Sequence, residues 1–462
     1  MDSRTSYFFK NTSIFAIGTL GAKLINFFLV PFYTYVLTQE EYGTVDLIFT
    51  ISMFIVPLIM FNLGEAIMRY SMDRNISMEK IFTIALCAVA FGFFILIPII
   101  PIFNRIDLLS SYTIYIIIYI FSSALKEIVN GFLRGKEMLK LYVSCNLLET
   151  FLIACFNIYF LVVLKKGIEG YLLAYILSAV ISIMLAFIGG RLYRYLNYLK
   201  FDYGLAKKMI IFSLAVIPNS LLWWAINSSD RIMVSTMSGI AENGLLAVSY
   251  KLPSIMTMFS GVLMQAWKYS AIRDKDSADR DLYANQMYSK YCVGISLVSG
   301  ALLLIIKPCT SILFEASYYN SWQSSLFLLV GFVFMGCSTF IGTIYYVEKN
   351  MVGNMLSALV GAIVNIILNC ILIPHFGASG ATLAACISYF VIFIYRYIDT
   401  RKYQKIEVFK LQYILTLLFV ILIAVGNLFE GTVGIAIMLF SFTCLIFINR
   451  KSIIDIIASM IH

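Results

Sequence analysis

Charge is what this sequence has least of. Asp, Glu, Lys and Arg make up 13% of its 462 residues, against 61% hydrophobic, where soluble domains carry about 25% charged residues. So little charge cannot cover a water-facing surface. Histidine is nearly missing: His375 and His462 are the only two, and neither has metal-ligand spacing. Nine cysteines are scattered through apolar runs without a CxxC pair, which argues for reduced, packed thiols rather than a disulfide framework or a zinc site. No Gly-rich phosphate loop occurs, so ATP is not consumed by this chain. The expectation is a protein with neither metal nor cofactor.

Long apolar runs are what the chain has instead, with a mean hydropathy of +0.89. A membrane-crossing helix needs about 20 mostly apolar residues, and lipid admits only helices and closed barrels. Barrel strands alternate every second residue. Runs such as "IALCAVAFGFFILIPIIPIF" do not alternate, so the fold class expected is an all-α membrane protein. Fourteen hydrophobic segments can be counted, the first at 11–36, the fourth at 112–133, the seventh at 209–235, the eighth at 245–267 and the last at 432–449. The first, after Arg4 and Lys10, reads as an uncleaved span because no small-x-small cleavage site follows.

Lys and Arg in short loops set orientation. One set of loops, including both chain ends and with 134–140 and 396–410 among them, holds 26 of the 34 Lys and Arg, Arg134 and Arg396 included, while the opposite set holds only Arg105, Lys165 and Lys166. Both termini are therefore expected in the cytoplasm. The net charge of +9 lies mostly in those loops, so the bilayer and not nucleic acid is the partner it implies.

The first twelve segments read as two copies of six. Asn146, Glu149 and Asn157 share their spacing with Asn354, Ser357 and Asn365, offset by 208. "GIEGYLLAYILS" (167–178) and "GASGATLAACIS" (377–388) match at offset 210, and "TQEEYG" (38–43) loosely matches "GIAENG" (239–244) at offset 201. Six is even, so the copies run parallel about an axis along the membrane normal, an arrangement used by transporters. The organisation expected is a six-helix bundle over 1–200, a second over 201–400, and two further helices in 401–462.

Four segments carry a polar face. Thr12, Thr19, Lys23 and Asn26 fall within an arc of about 60° on the first. Tyr115, Tyr119, Ser122, Ser123, Lys126 and Asn130 share one face of the fourth. Asn219, Ser220, Trp223, Asn227, Asp230 and Arg231 share one face of the seventh. Lys251, Ser254, Met258, Gly261 and Gln265 fall within about 80° on the eighth. Polar groups at membrane depth must face protein or water. The reading is a lumen with Lys126, Lys23, Arg231 and Lys251 as a ladder of cations. Asp230 beside Arg231 and Glu127 beside Lys126 are the few carboxylates, so the lumen is expected to be net cationic. Snorkelling of Arg231 and Lys251 to the interface is the plainer alternative, one that Lys23, deep in its segment, does not share. Pro57, Pro218 and Pro253 mark places where helices can bend.

Cations recognise phosphate, Lys as a point charge and Arg bidentately. Asn26, Asn130, Asn219, Trp223, Asn227, Asp230 and Gln265 are candidates to contact sugar. A diphosphate-linked sugar on a lipid meets both descriptions.

The stretches "FFKNTSIFAIGTLGAKLINFFLVPFYTYVLTQEEYGTVDLIFT" and "SSDRIMVSTMSGIAENGLLAVSYKLPSI" resemble polysaccharide-unit flippases. These are the Wzx-type O-antigen and capsule exporters of the polysaccharide-transport branch of the MOP superfamily. "LTxEEYG" and "DRxMV…AVSYKLP" are the most specific parts, and the likeness covers most of the first 390 residues. The resemblance implies a MATE-like V of two six-helix bundles. It implies an undecaprenyl-diphosphate-linked oligosaccharide carried outward across the bacterial inner membrane by alternating access, for O-antigen, capsule or exopolysaccharide. Lys23, Lys126, Arg231 and Lys251 would contact the diphosphate. Polymerase and chain-length partners come with that implication, and the chain is read as a monomer. Fourteen segments rather than twelve is a feature shared with lipid II flippases. Two rivals remain: a cation-coupled multidrug exporter, which needs lumenal carboxylates, and a membrane glycosyl polymerase, which needs a large external loop and a His or carboxylate constellation. Neither requirement is met, and a non-enzymatic transporter is expected.

Overall fold

The computed structural model describes residues 21–461 apart from 72, 74–75, 197–199, 274–276, 278 and 349. The described secondary structure is helical, and the apolar segments are helical over most of their described length, with turns at 60–62 inside the second and 250–253 inside the eighth. Helix α1 occupies 21–36. Next come α2 (Gln39–Ile59), α3 (Leu63–Ser71), α4 (Met78–Leu96), α5 (Thr113–Gly135), α6 (Leu139–Asn157), α7 (Gly167–Gly189) and α8 (Tyr203–Met237). After them come α9 (Ile240–Ser249), α10 (Ser254–Arg273), α11 (Arg280–Leu313), α12 (Ser321–Val347), α13 (Met351–Thr400), α14 (Leu411–Gly426), α15 (Gly431–Ile448) and α16 (Arg450–Ile461).

Among the described residues nine helices are long and apolar enough to cross a membrane. One of them, α13, has 50 residues, roughly 75 Å at 1.5 Å per residue, far more than a ~30 Å hydrocarbon core needs. It is two crossings joined at Gly377, whose φ of 53° and ψ of −131° break the helix. That break separates the eleventh and twelfth segments of the sequence.

Proline places two of the other breaks. Pro57 lies near the end of α2, and Asn62 N–H bonds back to Pro57 O at 2.8 Å across the turn before α3. Pro253 stands in the turn between α9 and α10. Pro lacks an N–H to continue the ladder. This turn corrects the helical wheel drawn for the eighth segment. Lys251 lies in the turn and Ser254 opens the next helix, so Lys251 does not share one continuous helix with Gln265.

The chain forms two compact units, Met1–Trp224 and Ala225–His462, dividing inside α8. In the first, Trp224 Nε1 donates to Thr50 O of α2 at 3.1 Å. Lys80 at the start of α4 pairs with Asp202 ahead of α8 at 2.8 Å. In the second, α12 is the most enclosed helix, burying Trp322, Leu329, Val333, Phe340, Ile344 and Tyr345. Large apolar side chains such as Phe94, Ile114, Phe440 and Phe447 stay exposed. On a helix long enough to cross a bilayer such a face belongs to lipid.

The two units repeat the same small devices. Ser178 Oγ donates to Ala174 O at 2.7 Å, and Ser388 Oγ donates to Ala384 O at 2.7 Å. Asn157 and Asn365 are both fully buried. Gly167 and Gly377 both have positive φ, 51° and 53°. Each meets the carboxylate that the loose match at offset 201 pairs with it. A Cβ on Gly167 would lie 2.9 Å from Glu41 Oε1, and one on Gly377 would lie 2.6 Å from Glu242 Oε2. Glu242 Oε2 also accepts from Ala378 N–H at 3.0 Å. A carboxylate at a helix N-terminus satisfies orphan donors and opposes the dipole.

Candidate functional site

In the N-terminal unit, α2, α5 and α6 enclose a cavity of about 400 Å³. Lys126, Glu127, Asn130 and Arg134 line it from successive turns of α5, with Tyr119 one turn or two above and Tyr142 from α6 opposite. The i, i+4 spacing of Lys126, Asn130 and Arg134 puts them on one helix face. Of the polar face expected on the fourth segment, Tyr119, Ser123, Lys126 and Asn130 line the cavity, and Tyr115 and Ser122 do not.

Lys126 is not a lone cation. Its Nζ donates to Glu149 Oε1 of α6 at 2.6 Å, with the Glu149 side chain 8% exposed and that of Lys126 31%. Glu149 served in the sequence only as a repeat marker. With Arg134 and Glu127 also in the lining, the cavity carries as many carboxylates as cations once Glu149 is counted. The net cationic character expected of the four faces together is not carried by this one cavity, where the charges balance. Arg134, counted as a loop cation, belongs to this lining, and its guanidinium lies 5.9 Å from the Tyr142 ring centre. Beyond the pair lies an aromatic cluster in which Tyr171 and Tyr175 stack at 5.0 Å, their hydroxyls 3.2 Å apart. Asn157 Nδ2 donates to the buried Tyr33 hydroxyl at 3.0 Å.

Lys23 and Asn26 sit on one exposed face of α1. Neither is part of the lining described for the cavity.

In the C-terminal unit the two ends of the "DRxMV…AVSYKLP" stretch meet. Asp230, 2% exposed, accepts from the Tyr250 hydroxyl at 2.6 Å and from Arg231 N–H at 2.9 Å. The Arg231 guanidinium lies over the Tyr250 ring at 5.1 Å. Tyr250 thus holds both charges, one by its hydroxyl and one by its ring. Val234 and Leu246 close a core beneath them with Ile373, Ala378 and Ala381. Lys251 follows Tyr250 directly, half-buried in the turn. The side chains of Asn219, Trp223, Asn227 and Gln265 lie outside those described.

A buried cation escaped the sequence. Arg396 was counted with the loops, yet α13 continues to Thr400 and Arg396 is 4% exposed. It donates to Ser357 Oγ at 2.9 Å, Asn354 Oδ1 at 2.9 Å and Ser338 O at 3.0 Å. Ser357 and Asn354 are the repeat counterparts of Glu149 and Asn146. Each unit therefore sets a cation against the same repeat position: half-buried Lys126 on the carboxylate of Glu149 in one, buried Arg396 on neutral oxygens in the other.

Two compact units built of helices long and apolar enough to cross a bilayer define a multi-pass membrane protein. A family model described as "Polysaccharide biosynthesis protein" matches residues 8–269, and the chain belongs to that family. No curated protein matches. Among solved structures the chain is similar to the lipid II flippase MurJ in an inward closed conformation, at 14% identity and a TM-score of 0.67, over 95% of this chain and 99% of that one. It is similar to an inward-facing multidrug resistance MATE transporter at 15% identity and a TM-score of 0.68, over 82% and 94%. A MOP superfamily transporter from Pyrococcus furiosus matches at 15% identity and a TM-score of 0.56, over 84% and 93%. These likenesses confirm the fold expected from the sequence.

Proposed function

We propose that this protein carries an undecaprenyl-diphosphate-linked glycan across the bacterial cytoplasmic membrane by alternating access, for assembly of a surface polysaccharide. The observation that carries the reading is the match of a polysaccharide biosynthesis family over residues 8–269, on a fold similar to that of a lipid II flippase. A lipid II flippase handles a lipid-linked saccharide, and its fold accommodates a ligand of that class. The similarity to multidrug transporters is one of fold alone. Both termini are placed in the cytoplasm by the Lys and Arg bias of the loops.

In this reading each unit has its own cations to offer a diphosphate. Lys126 and Arg134 serve in the N-terminal cavity, with Lys23 on α1, and Arg231 and Lys251 serve in the C-terminal unit. Asn130 and Asn26 offer amides to sugar hydroxyls. The ion pair of Lys126 with Glu149 keeps the cation partnered while no anion is bound; an arriving diphosphate competes with Glu149 for it. The test is complementation of a flippase-null strain by Lys23→Ala, Lys126→Ala, Arg231→Ala and Lys251→Ala at equal expression. Reduced surface glycan is expected for Lys126→Ala and Arg231→Ala at least. Full export by all four and by their combination contradicts the assignment of these cations.

A further inference from the structure

Residues 401–410 leave the end of α13 and return to α14 as an extended strap. Gln404, Ile406 and Val408 are buried, while Lys405, Glu407 and Phe409 are exposed. Asn285 of α11 clamps the strap with both ends of its amide. Its Nδ2 donates to Lys405 O at 3.0 Å, and its Oδ1 accepts from Glu407 N–H at 2.8 Å. Tyr397 of α13 meets the Phe409 ring edge-on at 4.9 Å. The strap is thus fastened at both ends.

Under it, against α11 and α13, lies a cavity of about 630 Å³. Arg401, Lys405 and Lys410 line it, with Asp281 and Glu407 as its carboxylates. Glu407 is occupied by Lys410 at 2.5 Å. Among the described residues Lys405 and Arg401 form no ion pair, and the Arg401 guanidinium lies on the Tyr397 ring at 5.4 Å. Leu282 of the lining is 64% exposed, and Phe409 and Leu411, on either side of the lining residue Lys410 in the chain, are 51% and 70% exposed. Two cations without an ion pair in a preformed hollow, with bare apolar side chains in or next to its lining, match a ligand with an anionic head and hydrocarbon tails.

We infer that this cavity binds the phosphate headgroup of an anionic phospholipid, with Arg401 and Lys405 on the phosphate and the acyl chains against Leu282, Phe409 and Leu411. Basic pockets between helices on the Lys- and Arg-rich side of a membrane are suited to such heads. The site lies in the C-terminal unit at the cation-rich ends of its helices, and it stands whether or not the proposed glycan is the cargo.

Native mass spectrometry of the purified full-length protein, titrated with phosphatidylglycerol and separately with phosphatidylethanolamine, tests the inference. The wild type is expected to retain one phosphatidylglycerol more than Arg401→Gln/Lys405→Gln, which binds it roughly 30-fold more weakly. Binding of phosphatidylethanolamine is expected to be equal. Lys405→Gln alone, an exposed side chain, keeps the test open if the double variant folds poorly, and a loss of about 5-fold is expected for it. Lys402→Gln, on the same strap but outside the lining, retains the lipid. Equal phosphatidylglycerol retention by wild type and Lys405→Gln overturns the inference, as does displacement of the lipid by millimolar inorganic phosphate, which would make the hollow a site for free anions.

Discussion

Lys126 and Glu149 meet at 2.6 Å between α5 and α6, so the cation that lines the N-terminal cavity is held by a carboxylate that is almost fully buried. Removing one member of such a pair strands the other charge. With Lys126 31% exposed, water offsets part of that cost. Lys126→Met or Glu149→Leu alone is expected to destabilise by about 2 kcal/mol, and the two together by less than either. Thermal melting of the four proteins in one detergent closes the cycle. Additive losses would show that the two groups are not coupled.

Tyr250 is expected to act through its hydroxyl on Asp230 and through its ring on Arg231. Tyr250→Phe keeps the ring and removes a 2.6 Å bond to a buried carboxylate, a loss of about 1.5–3 kcal/mol for a hydrogen bond to a charged group. Tyr250→Leu removes both contacts and should cost more. Melting temperatures of the two variants measure the difference.

Gly167 and Gly377 should resist substitution for the same reason in both units. Their φ values of 51° and 53° are disfavoured for any residue with a Cβ by roughly 1–2 kcal/mol. The added methyl would also press on Glu41 or Glu242. Gly167→Ala and Gly377→Ala are both expected to lower folded yield. Glu242→Gln, which keeps an acceptor for Ala378 N–H, should be milder than Glu242→Ala.

Outside the membrane, acid should loosen the tie between α4 and α8. The bond from Lys80, helped by Leu205 N–H, holds the Asp202 carboxyl below its usual range. A carboxyl with a depressed folded pKa contributes stability above its unfolded pKa and loses it as pH falls through the folded value. Lys80→Ala should therefore flatten the acidic limb of the melting temperature against pH and leave the limb above neutrality unchanged. Asp202 is exposed, so the effect is small.

Much of the fold was legible because lipid imposes a simple code. The apolar segments are largely helical where described, and Asn157 with Asn365 and Ser178 with Ser388 share the matched spacing of the repeat. The break at Gly377 was legible as a segment boundary. The site was legible only in part. Periodicity put Lys126, Asn130 and Asp230 on polar faces, but it says nothing about which helix a face meets. Glu149 lies 23 residues from Lys126 in sequence, so their pairing depends on how α5 packs on α6. Arg396 and Arg134 were taken for loop residues because a charge near the end of an apolar run looks the same whether the helix stops before it or continues past it. Lys251 was placed on a continuous helix because a wheel takes no account of the turn at Pro253. The specific "LTxEEYG" stretch proved to be a capping box. Thr38 accepts from Glu41 N–H at 3.2 Å and Glu41 accepts from Thr38 N–H at 2.9 Å, while the same carboxylate faces Gly167.

The central claim is that this protein moves a diphosphate-linked glycan between leaflets, and the most direct measurement uses the purified protein in sealed proteoliposomes. A fluorescent undecaprenyl-diphosphate oligosaccharide is placed in one leaflet, and its appearance in the other is followed by an added glycan-modifying enzyme that cannot cross the membrane. The account predicts exchange well above protein-free vesicles, slowed by Lys126→Ala and by Arg231→Ala, with a phosphatidylcholine tracer left unmoved. Glycan lipid that stays in its leaflet in the presence of well-folded wild-type protein, with and without an imposed ion gradient, would contradict it.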